Sequence, residues 1–240
     1  MVTTNAVSGT CVDEVATGIY RISTPVTDVP GGFSFNQYLV IDDQPMLYHT
    51  GPRRIAPLVQ EAITSLIPIS SLRYIGFSHY ESDECGSLNE LLARAPHALP
   101  LCGRINARIN GDAFDRPARV LQDGEVIDIG SHRLRWFDTP HLPHAWECGH
   151  IFDESTRTLF CGDLFTQRGA MTPALTSTDI LGPSEALRSV TGYYAHAPNT
   201  GAMLDRLAQA QPTTLACMHG SAWTGDGAHL LRSLAVALGA

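Results

Sequence analysis

The sequence predicts a mixed α/β domain, because short apolar runs alternate along it with longer segments of helical periodicity. Segments 53–66, 87–95, 201–210 and 227–238 carry apolar residues at spacings of three and four, and Gly or Pro flanks each of them. We expect these segments to be helices. The apolar runs are too short for helices, and strands are expected at 19–22, 38–41, 46–48, 74–77, 125–129, 134–137, 150–152 and 159–161.

Length and composition favour one large domain. No Pro/Gly/Ser-rich linker or charge block divides the 240 residues. We expect a single domain over 1–240, with its core at about 18–223 and a C-terminal helix at 227–238. Hydrophobic residues make up 44% of the chain and charged residues 17%, which allows a sizeable core.

Net charge, cysteine spacing and the lack of a long apolar segment argue against several classes of protein. A formal net charge of −8 leaves no basic surface for nucleic acid. The six cysteines include no CxxC pair, and several lie in apolar runs, so we expect buried free thiols. Segment 1–10 lacks the features of a signal peptide, and no segment is long and apolar enough to span a bilayer. We expect a cytoplasmic protein that binds neither nucleic acid nor membrane.

Segment 79–84, with the sequence HYESDE, is the strongest functional signal. It places metal-capable side chains at every second residue, directly after the apolar run 74–77. Alternate side chains of an extended backbone point to one side, so His79, Glu81 and Asp83 could converge on a metal. A solvated acidic loop is the alternative when this segment is taken alone.

Three later segments place a metal-capable residue where an apolar strand gives way to Gly or Pro. They contain His141 in Thr-Pro-His-Leu-Pro, Asp163 in Phe-Cys-Gly-Asp and His219 in Met-His-Gly. Incidental core or surface histidines are the alternative. The repetition of one setting favours a shared site with two metals.

These motifs resemble the metallo-β-lactamase superfamily, whose usual first motif is His-x-His-x-Asp-His. Glu81 stands where the hydrolases have their second histidine, and this resembles the flavodiiron proteins and related oxygen-binding diiron proteins, with their His-x-Glu-x-Asp-His pattern. Glu84 departs from both patterns, which have histidine there. The resemblance runs from about 18 to about 223 and includes 36–40 and 49–51. It implies an αββα sandwich, in which two sheets lie between helical layers.

The resemblance also implies which residues bind each metal. The first metal would be held by His79, Glu81 and His141. The second would be held by Asp83 and His219, with Asp163 as the bridge. Glu84 stands at the remaining position of the second site, either as a ligand or beside an open or water-filled position.

His144 is the candidate catalytic residue, because it follows His141 by three residues. It could donate a proton to bound oxygen, replace His141 as a ligand, or hold a ligand in place. A partly exposed loop histidine is the alternative.

The expected site is rich in carboxylates, which favours iron or manganese over zinc. Four acidic side chains would formally balance two divalent ions, namely Glu81, Asp83, Glu84 and Asp163. An anionic set of ligands also favours the higher oxidation state. We therefore expect two iron ions, with zinc or manganese as alternatives.

The leading hypothesis is a non-haem diiron protein. It would bind molecular oxygen, and it could in addition reduce oxygen or nitric oxide. The alternatives are a metal-dependent hydrolase with a metal-bridging hydroxide, and a non-catalytic oxygen sensor or a scaffold with a degraded site. Only about one helix of sequence follows Ala222, so we expect no flavin domain in this chain. We therefore expect electrons from a separate donor protein, and the resemblance implies a homodimer.

Overall fold

The protein contains two facing β-sheets with helices on their outer sides. The structure is a computed structural model that describes residues 2–240. Met1, the first residue of the expected 1–240 domain, lies outside the described residues. No helix among residues 2–240 is long and apolar enough to cross a membrane.

The first sheet has 8 strands, which lie side by side in chain order. They are β1 (Val2–Asn5), β2 (Thr10–Ala16), β3 (Ile19–Val26), β4 (Phe33–Val40), β5 (Met46–Tyr48), β6 (Tyr74–Gly76), β7 (Leu99–Gly103) and β8 (Arg119–Leu121). Neighbouring strands are antiparallel from β1 to β5 and parallel from β5 to β8.

The second sheet has 7 strands. They are β9 (Val126–Asp128), β10 (Arg133–Asp138), β11 (Gly149–Asp153), β12 (Thr158–Gly162), β13 (Leu175–Thr176), β14 (Thr214–Cys217) and β15 (Ala222–Thr224). Their spatial order is β13-β15-β14-β12-β11-β10-β9. β12 runs parallel to β14, which brings the carboxyl ends of these two strands together.

The helices of the described residues follow the strands on both sides of the sandwich. They are α1 (Ala56–Thr64), α2 (Ser82–Cys85), α3 (Leu88–Arg94), α4 (Arg104–Asn110), α5 (Leu181–Thr191), α6 (Thr200–Gln209) and α7 (Gly227–Leu238). Short 3-10 helices lie at Arg53–Ile55, Ile69–Ser71 and Gly111–Ala113.

Alternation of side chains along the strands builds separate apolar cores. Tyr38 and Val40 of β4 pack between the sheets, together with Trp136 and Phe160 of the second sheet. Leu39 points the other way, into the core beneath α1 and α3. A third core joins the second sheet to α6 and α7. The αββα sandwich expected from the sequence is confirmed.

Each expected strand and helix is present, 46–48 and 227–238 with the expected bounds and the others with shifted ends. Several further elements were not predicted. β2 pairs with β3 and extends the first sheet to before residue 18, where the core was expected to begin. Asp13 and Glu14 interrupt the apolar pattern of β2, which hides the strand. The six cysteines are buried free thiols, as predicted.

The candidate ligands lie where carboxyl ends of strands meet at one end of the sandwich. Asp163 follows β12 and His219 follows β14, so the parallel pairing of these strands places the two residues side by side. His79 follows β6 in the other sheet. The two sheets are joined at this end by the backbone N–H of Gly149, which donates to the carbonyl of Ser78 at 2.9 Å.

A buried histidine–aspartate pair joins the turns at the opposite end of the second sheet. His132 Nδ1 donates to Asp153 Oδ2 at 2.8 Å, and Thr156 donates to the same oxygen through its backbone N–H and its hydroxyl. The hydrogen bond to Asp153 outweighs burial and raises the pKa of His132. Burial opposes ionisation of Asp153, but the hydrogen bonds from His132 and Thr156 lower the pKa of its carboxyl group.

We expect His132→Leu to lower the free energy of unfolding by about 1–3 kcal/mol near pH 6, because it leaves the buried Asp153 carboxylate without this donor. The folded-state pKa of His132 is raised, so its charge stabilises the fold below the ordinary histidine pKa. This contribution is lost as the pH rises through the raised value. Urea titrations should therefore show a smaller difference from wild type near pH 9.

His229→Leu is the control, because His229 is an exposed histidine on α7. It should change stability little at either pH. An equal deficit of His132→Leu near pH 6 and near pH 9 would contradict a charged pair.

Candidate metal centre

Histidine and carboxylate side chains converge at the end of the sandwich where carboxyl ends of strands from the two sheets meet. The converging residues are His79, Glu81, Asp83, Glu84, His144, Asp163 and His219. All of the expected ligands except His141 belong to this cluster, and His144 belongs to it as well.

The first group of ligand atoms surrounds His79. Its Nε2 atom lies 3.0 Å from His144 Nε2, 3.1 Å from Glu81 Oε2 and 3.6 Å from Asp163 Oδ2. His144 Nε2 lies 3.1 Å from the same Glu81 oxygen and 3.5 Å from Asp163 Oδ2. One ligand atom of each of these residues therefore lies within 4.8 Å of the others.

Asp163 stands between a pair of histidines on one side and a single histidine on the other. Its Oδ2 atom faces His79 and His144, while its Oδ1 atom lies 3.2 Å from His219 Nε2. His219 Nε2 is also 3.4 Å from Asp83 Oδ2. One carboxylate thus faces two separate positions, which is the arrangement that a bridging ligand requires.

Backbone carbonyls orient two of the histidines. His144 Nδ1 donates to the carbonyl of Tyr193 at 2.9 Å, and His219 Nδ1 donates to the carbonyl of Ser34 at 2.9 Å. In both rings the proton on Nδ1 leaves Nε2 facing the cluster. Such bonds commonly fix the tautomer of metal-binding histidines.

His141 does not reach the cluster. Its side chain is exposed and forms no hydrogen bond or ion pair with residues 2–240. Its backbone N–H donates to the carbonyl of Ala145 at 2.8 Å, and its φ is +65°, a left-handed value. The turn therefore directs His141 to solvent and His144 inward, so that His144, and not His141, lies beside His79.

Asp83 and Glu84 reach the site from the one-turn helix α2. The expectation that Asp83 alternates with Glu81 along an extended loop is therefore wrong, although both side chains do approach the same site. The side chain of Glu84 is 0% exposed, and neither of its carboxylate oxygens has a hydrogen-bond partner. Its Oε2 atom lies 3.8 Å from His79 Nε2. A buried carboxylate without a partner is costly, and a cation at this position would compensate it.

The pKa values of the Glu81 and Glu84 carboxyl groups are shifted in opposite directions. Hydrogen bonds from His144 and then His79 lower the pKa of Glu81 to about 2. Burial, followed by the charges of Asp163, Asp83 and Glu81, raises the pKa of Glu84 well above its usual value. Without a cation, the site therefore tends to keep a proton on Glu84.

Asp163 and His219 form the most strongly polarised pair. Burial opposes the ionisation of Asp163, but the hydrogen bond from His219 and the nearby histidines hold its pKa well below the usual range. Burial likewise opposes a charge on His219, but hydrogen bonds to Asp163 and Asp83 raise its pKa to about 10. A metal ion bound here would replace the proton on His219 Nε2.

The donor set fits a pair of metal ions. The Nε2 atoms of His79 and His144 are 3.0 Å apart, close to the spacing of two nitrogens at right angles around one ion at roughly 2.1 Å. The unpartnered Glu84 carboxylate and the two-sided Asp163 carboxylate supply negative charge at and between the two positions. Carboxylates and imidazoles together suit iron and manganese as well as zinc.

A small cavity of about 230 Å³ opens onto the cluster. Phe33, Leu187 and Tyr193 supply much of its apolar wall. The ring of Phe33 stacks on His219 with a centroid separation of 4.3 Å. A larger cavity of about 430 Å³ lies beside Tyr80 and touches the cluster through Glu81.

The sequence did not point to the residues that hold the ligands in place. Ser34 and Tyr193 act through backbone carbonyls, so their side chains carry no signal of this role. Ser78 is different, because its hydroxyl lies 3.0 Å from His79 Nδ1. Its place directly before the first ligand is a signal that could have identified it.

Comparison with known proteins finds a family and a shared fold. Residues 33–220 match the family described as ODP family beta lactamase. The structure superposes on rubredoxin oxygen:oxidoreductase from Desulfovibrio gigas with a TM-score of 0.83 and 18% sequence identity, covering 94% of this chain and 62% of that one. At that identity the likeness establishes the fold.

Two curated relatives have similar sequences over part of the chain. The anaerobic nitric oxide reductase flavorubredoxin of Salmonella arizonae is 30% identical over 141 residues, which are 57% of this chain and 29% of the relative. A protein named as a diflavin flavoprotein A 1, from Thermosynechococcus vestitus, is 28% identical over 137 residues, which are 56% of this chain and 24% of the relative. The matched segment thus spans about a quarter of these longer proteins.

We expect His144→Ala to lower the metal content of iron-loaded protein from about two ions per chain towards one, because it removes a nitrogen from the first position. His141→Ala is the matched control, since it alters an exposed histidine in the same turn. Elemental analysis after loading with excess ferrous iron and desalting measures both variants. Metal loss in His141→Ala with full retention in His144→Ala would reverse the assignment.

Proposed function

Because the chain belongs to the ODP family of beta lactamases, we propose that it is a non-haem diiron protein that binds molecular oxygen and reduces oxygen or nitric oxide. The two positions would be held by the ligand cluster, with Asp163 between them. Iron in this setting would supply the redox chemistry, and the protein supplies orientation and electrostatics.

The observation that carries the proposal is the number of carboxylates in the cluster. Glu81 accompanies two histidines at the first position, and the buried Glu84 adds a further anionic oxygen beside Asp83. Such a set favours iron over zinc and stabilises its higher oxidation state. Zinc hydrolases instead work by lowering the pKa of bound water, which an anionic set of ligands disfavours because it weakens the Lewis acid.

The cavity of about 230 Å³ beside the cluster also bears on the choice of substrate. Its apolar wall suits an uncharged molecule such as oxygen or nitric oxide.

In this proposal His144 acts as a ligand and not as a proton donor. Its Nδ1 atom donates to the Tyr193 carbonyl and its Nε2 atom faces His79 and Glu81, so neither nitrogen remains for a bound oxygen. The catalytic role expected for His144 from the sequence is therefore replaced by a binding role.

We further propose that a donor protein supplies the electrons at the face formed by the loop after β6 and the loop between β10 and β11. Tyr80 and Trp146 lie in these loops and are 45% and 56% exposed. The backbone N–H of Tyr80 donates to Glu147 at 3.1 Å, which joins the two loops. Exposed aromatic residues beside a redox site form a suitable contact for a transient partner. The homodimer expected from the sequence stays a prediction.

The test is to load the protein anaerobically with ferrous iron and mix it with oxygen. We expect about two irons per chain, new near-ultraviolet absorption after mixing, and consumption of oxygen in proportion to the ferrous iron loaded. Zinc-loaded protein is the control and should consume none. Iron-loaded protein whose spectrum does not respond to oxygen or nitric oxide would contradict the proposal, and metal-dependent ester hydrolysis by the zinc form would favour the hydrolase alternative.

Glu84→His tests the contribution of the buried carboxylate. The substitution replaces an anionic oxygen donor by a neutral nitrogen donor, so ferric iron should be less stabilised and the reduction potential should rise. A tenfold loss of preference for ferric over ferrous iron corresponds to about 59 mV for one electron. Redox titration measures this shift, and competition between ferrous iron and zinc should show better zinc loading in the variant.

Glu90→Gln is the control for this variant, because it removes a carboxylate from α3, away from the ligand cluster. Equal potentials and equal metal preference in wild type and Glu84→His would mean that Glu84 does not contact the metal.

A further inference from the structure

A buried hydrogen-bonded chain leads away from the ligand His79 into the first sheet. Ser78 Oγ lies 3.0 Å from His79 Nδ1 and 3.1 Å from His49 Nε2. The backbone N–H of Ser78 also donates to His49 Nε2, at 3.3 Å. Each of these three residues is 1% exposed. His49 is not in the ligand cluster, and the proposed function does not use it.

The donors and acceptors of this chain allow only one direction when His79 binds a metal through Nε2. A backbone N–H can only donate, so His49 Nε2 must accept from Ser78 and carries no proton. The Ser78 hydroxyl can then donate to that same nitrogen. Its oxygen is left to accept a hydrogen bond from the Nδ1–H group of His79.

Without an acceptor at His49, the Ser78 hydroxyl would be free to donate in the opposite direction. It would then donate to His79 Nδ1, and the ring proton would move to Nε2. A proton on Nε2 blocks the atom that faces Glu81, His144 and Asp163. The position of one proton on His79 therefore depends on which group accepts from Ser78.

We propose that His49 is a positioning residue for the metal ligand His79, which it orients through Ser78. It keeps the ring proton of His79 on Nδ1 and leaves Nε2 for the metal. This inference rests on the proposed function, because it assumes that His79 is a ligand.

The backbone around His49 holds the ring in place for this role. Its φ is +64°, a left-handed value that is unfavourable for most residues other than glycine. Its backbone N–H donates to the carbonyl of Gly76 at 2.8 Å, and the ring of Tyr48 lies 4.3 Å from its own ring. Strained residues persist where the surrounding structure fixes them, and they cluster at functional sites.

The test compares His49→Leu with His49→Gln. Both variants have the same backbone strain, but only glutamine has an oxygen that can accept from Ser78. We expect His49→Leu to bind zinc and ferrous iron roughly 10–100-fold more weakly, as is usual when a group that orients a metal ligand is lost. His49→Gln should stay close to wild type, and so should His132→Gln, which alters a buried histidine at the opposite end of the second sheet. Chelator competition measures the affinities.

A second measurement reads the proton directly. In zinc-loaded wild-type protein, long-range proton–nitrogen NMR should show His79 protonated at Nδ1 and bound through Nε2. Ser78→Ala should weaken metal binding in the way that His49→Leu does, and Ser78→Thr should restore it, so the proposal remains testable if His49→Leu does not fold.

The outcomes separate this inference from the proposed function. Wild-type protein that binds no metal would overturn both. Wild-type protein that binds metal with the same affinity as His49→Leu and Ser78→Ala would overturn the role of His49 alone. A zinc–Nδ1 bond at His79 would also overturn it.

Discussion

The crowding of four carboxylates at the ends of parallel strands is the constraint on which the site depends. Histidines stand opposite these carboxylates, as in the contacts of Asp163 with His79, His144 and His219. With no cation present, the charge is relieved by protons on Glu84 and His219, whose pKa values are both raised. Metal binding must displace these protons, so affinity for metal should rise with pH. The same charge that would make an empty site unstable makes a site with two cations favourable.

Strand order explains which parts of the site could be predicted from the sequence. A residue that follows a buried strand lies at the end of a sheet, and parallel neighbours bring two such residues together. Asp163 and His219 were found in this way, because Gly162 and Cys217 end neighbouring parallel strands. The αββα layers were predicted from the family resemblance and are confirmed. Elements without a clear apolar period were missed, as β2 illustrates with its two acidic residues.

The choice between His141 and His144 could not be made from the sequence. Both follow β10 in one turn, and the strand-end argument favours whichever comes first. Packing decides the matter, because Leu142 is buried in the core of the second sheet while His141 is exposed. Periodicity cannot describe such a turn, since its direction depends on contacts with distant residues such as Tyr193. Functional sites are where local sequence patterns and the final structure are expected to disagree.

The three histidines proposed as ligands differ in how they are held, and this difference has consequences for how the site can change. His144 and His219 donate to backbone carbonyls, which no side-chain substitution removes. His79 instead depends on the hydroxyl of Ser78. A change near Ser78 can therefore alter the first metal position while the second keeps its geometry. Replacing Glu84 would instead change the charge of the site without disturbing the carbonyls that orient His144 and His219. Hydrogen bonding at Ser78 and charge at Glu84 are therefore two different routes by which a substitution would alter the proposed site.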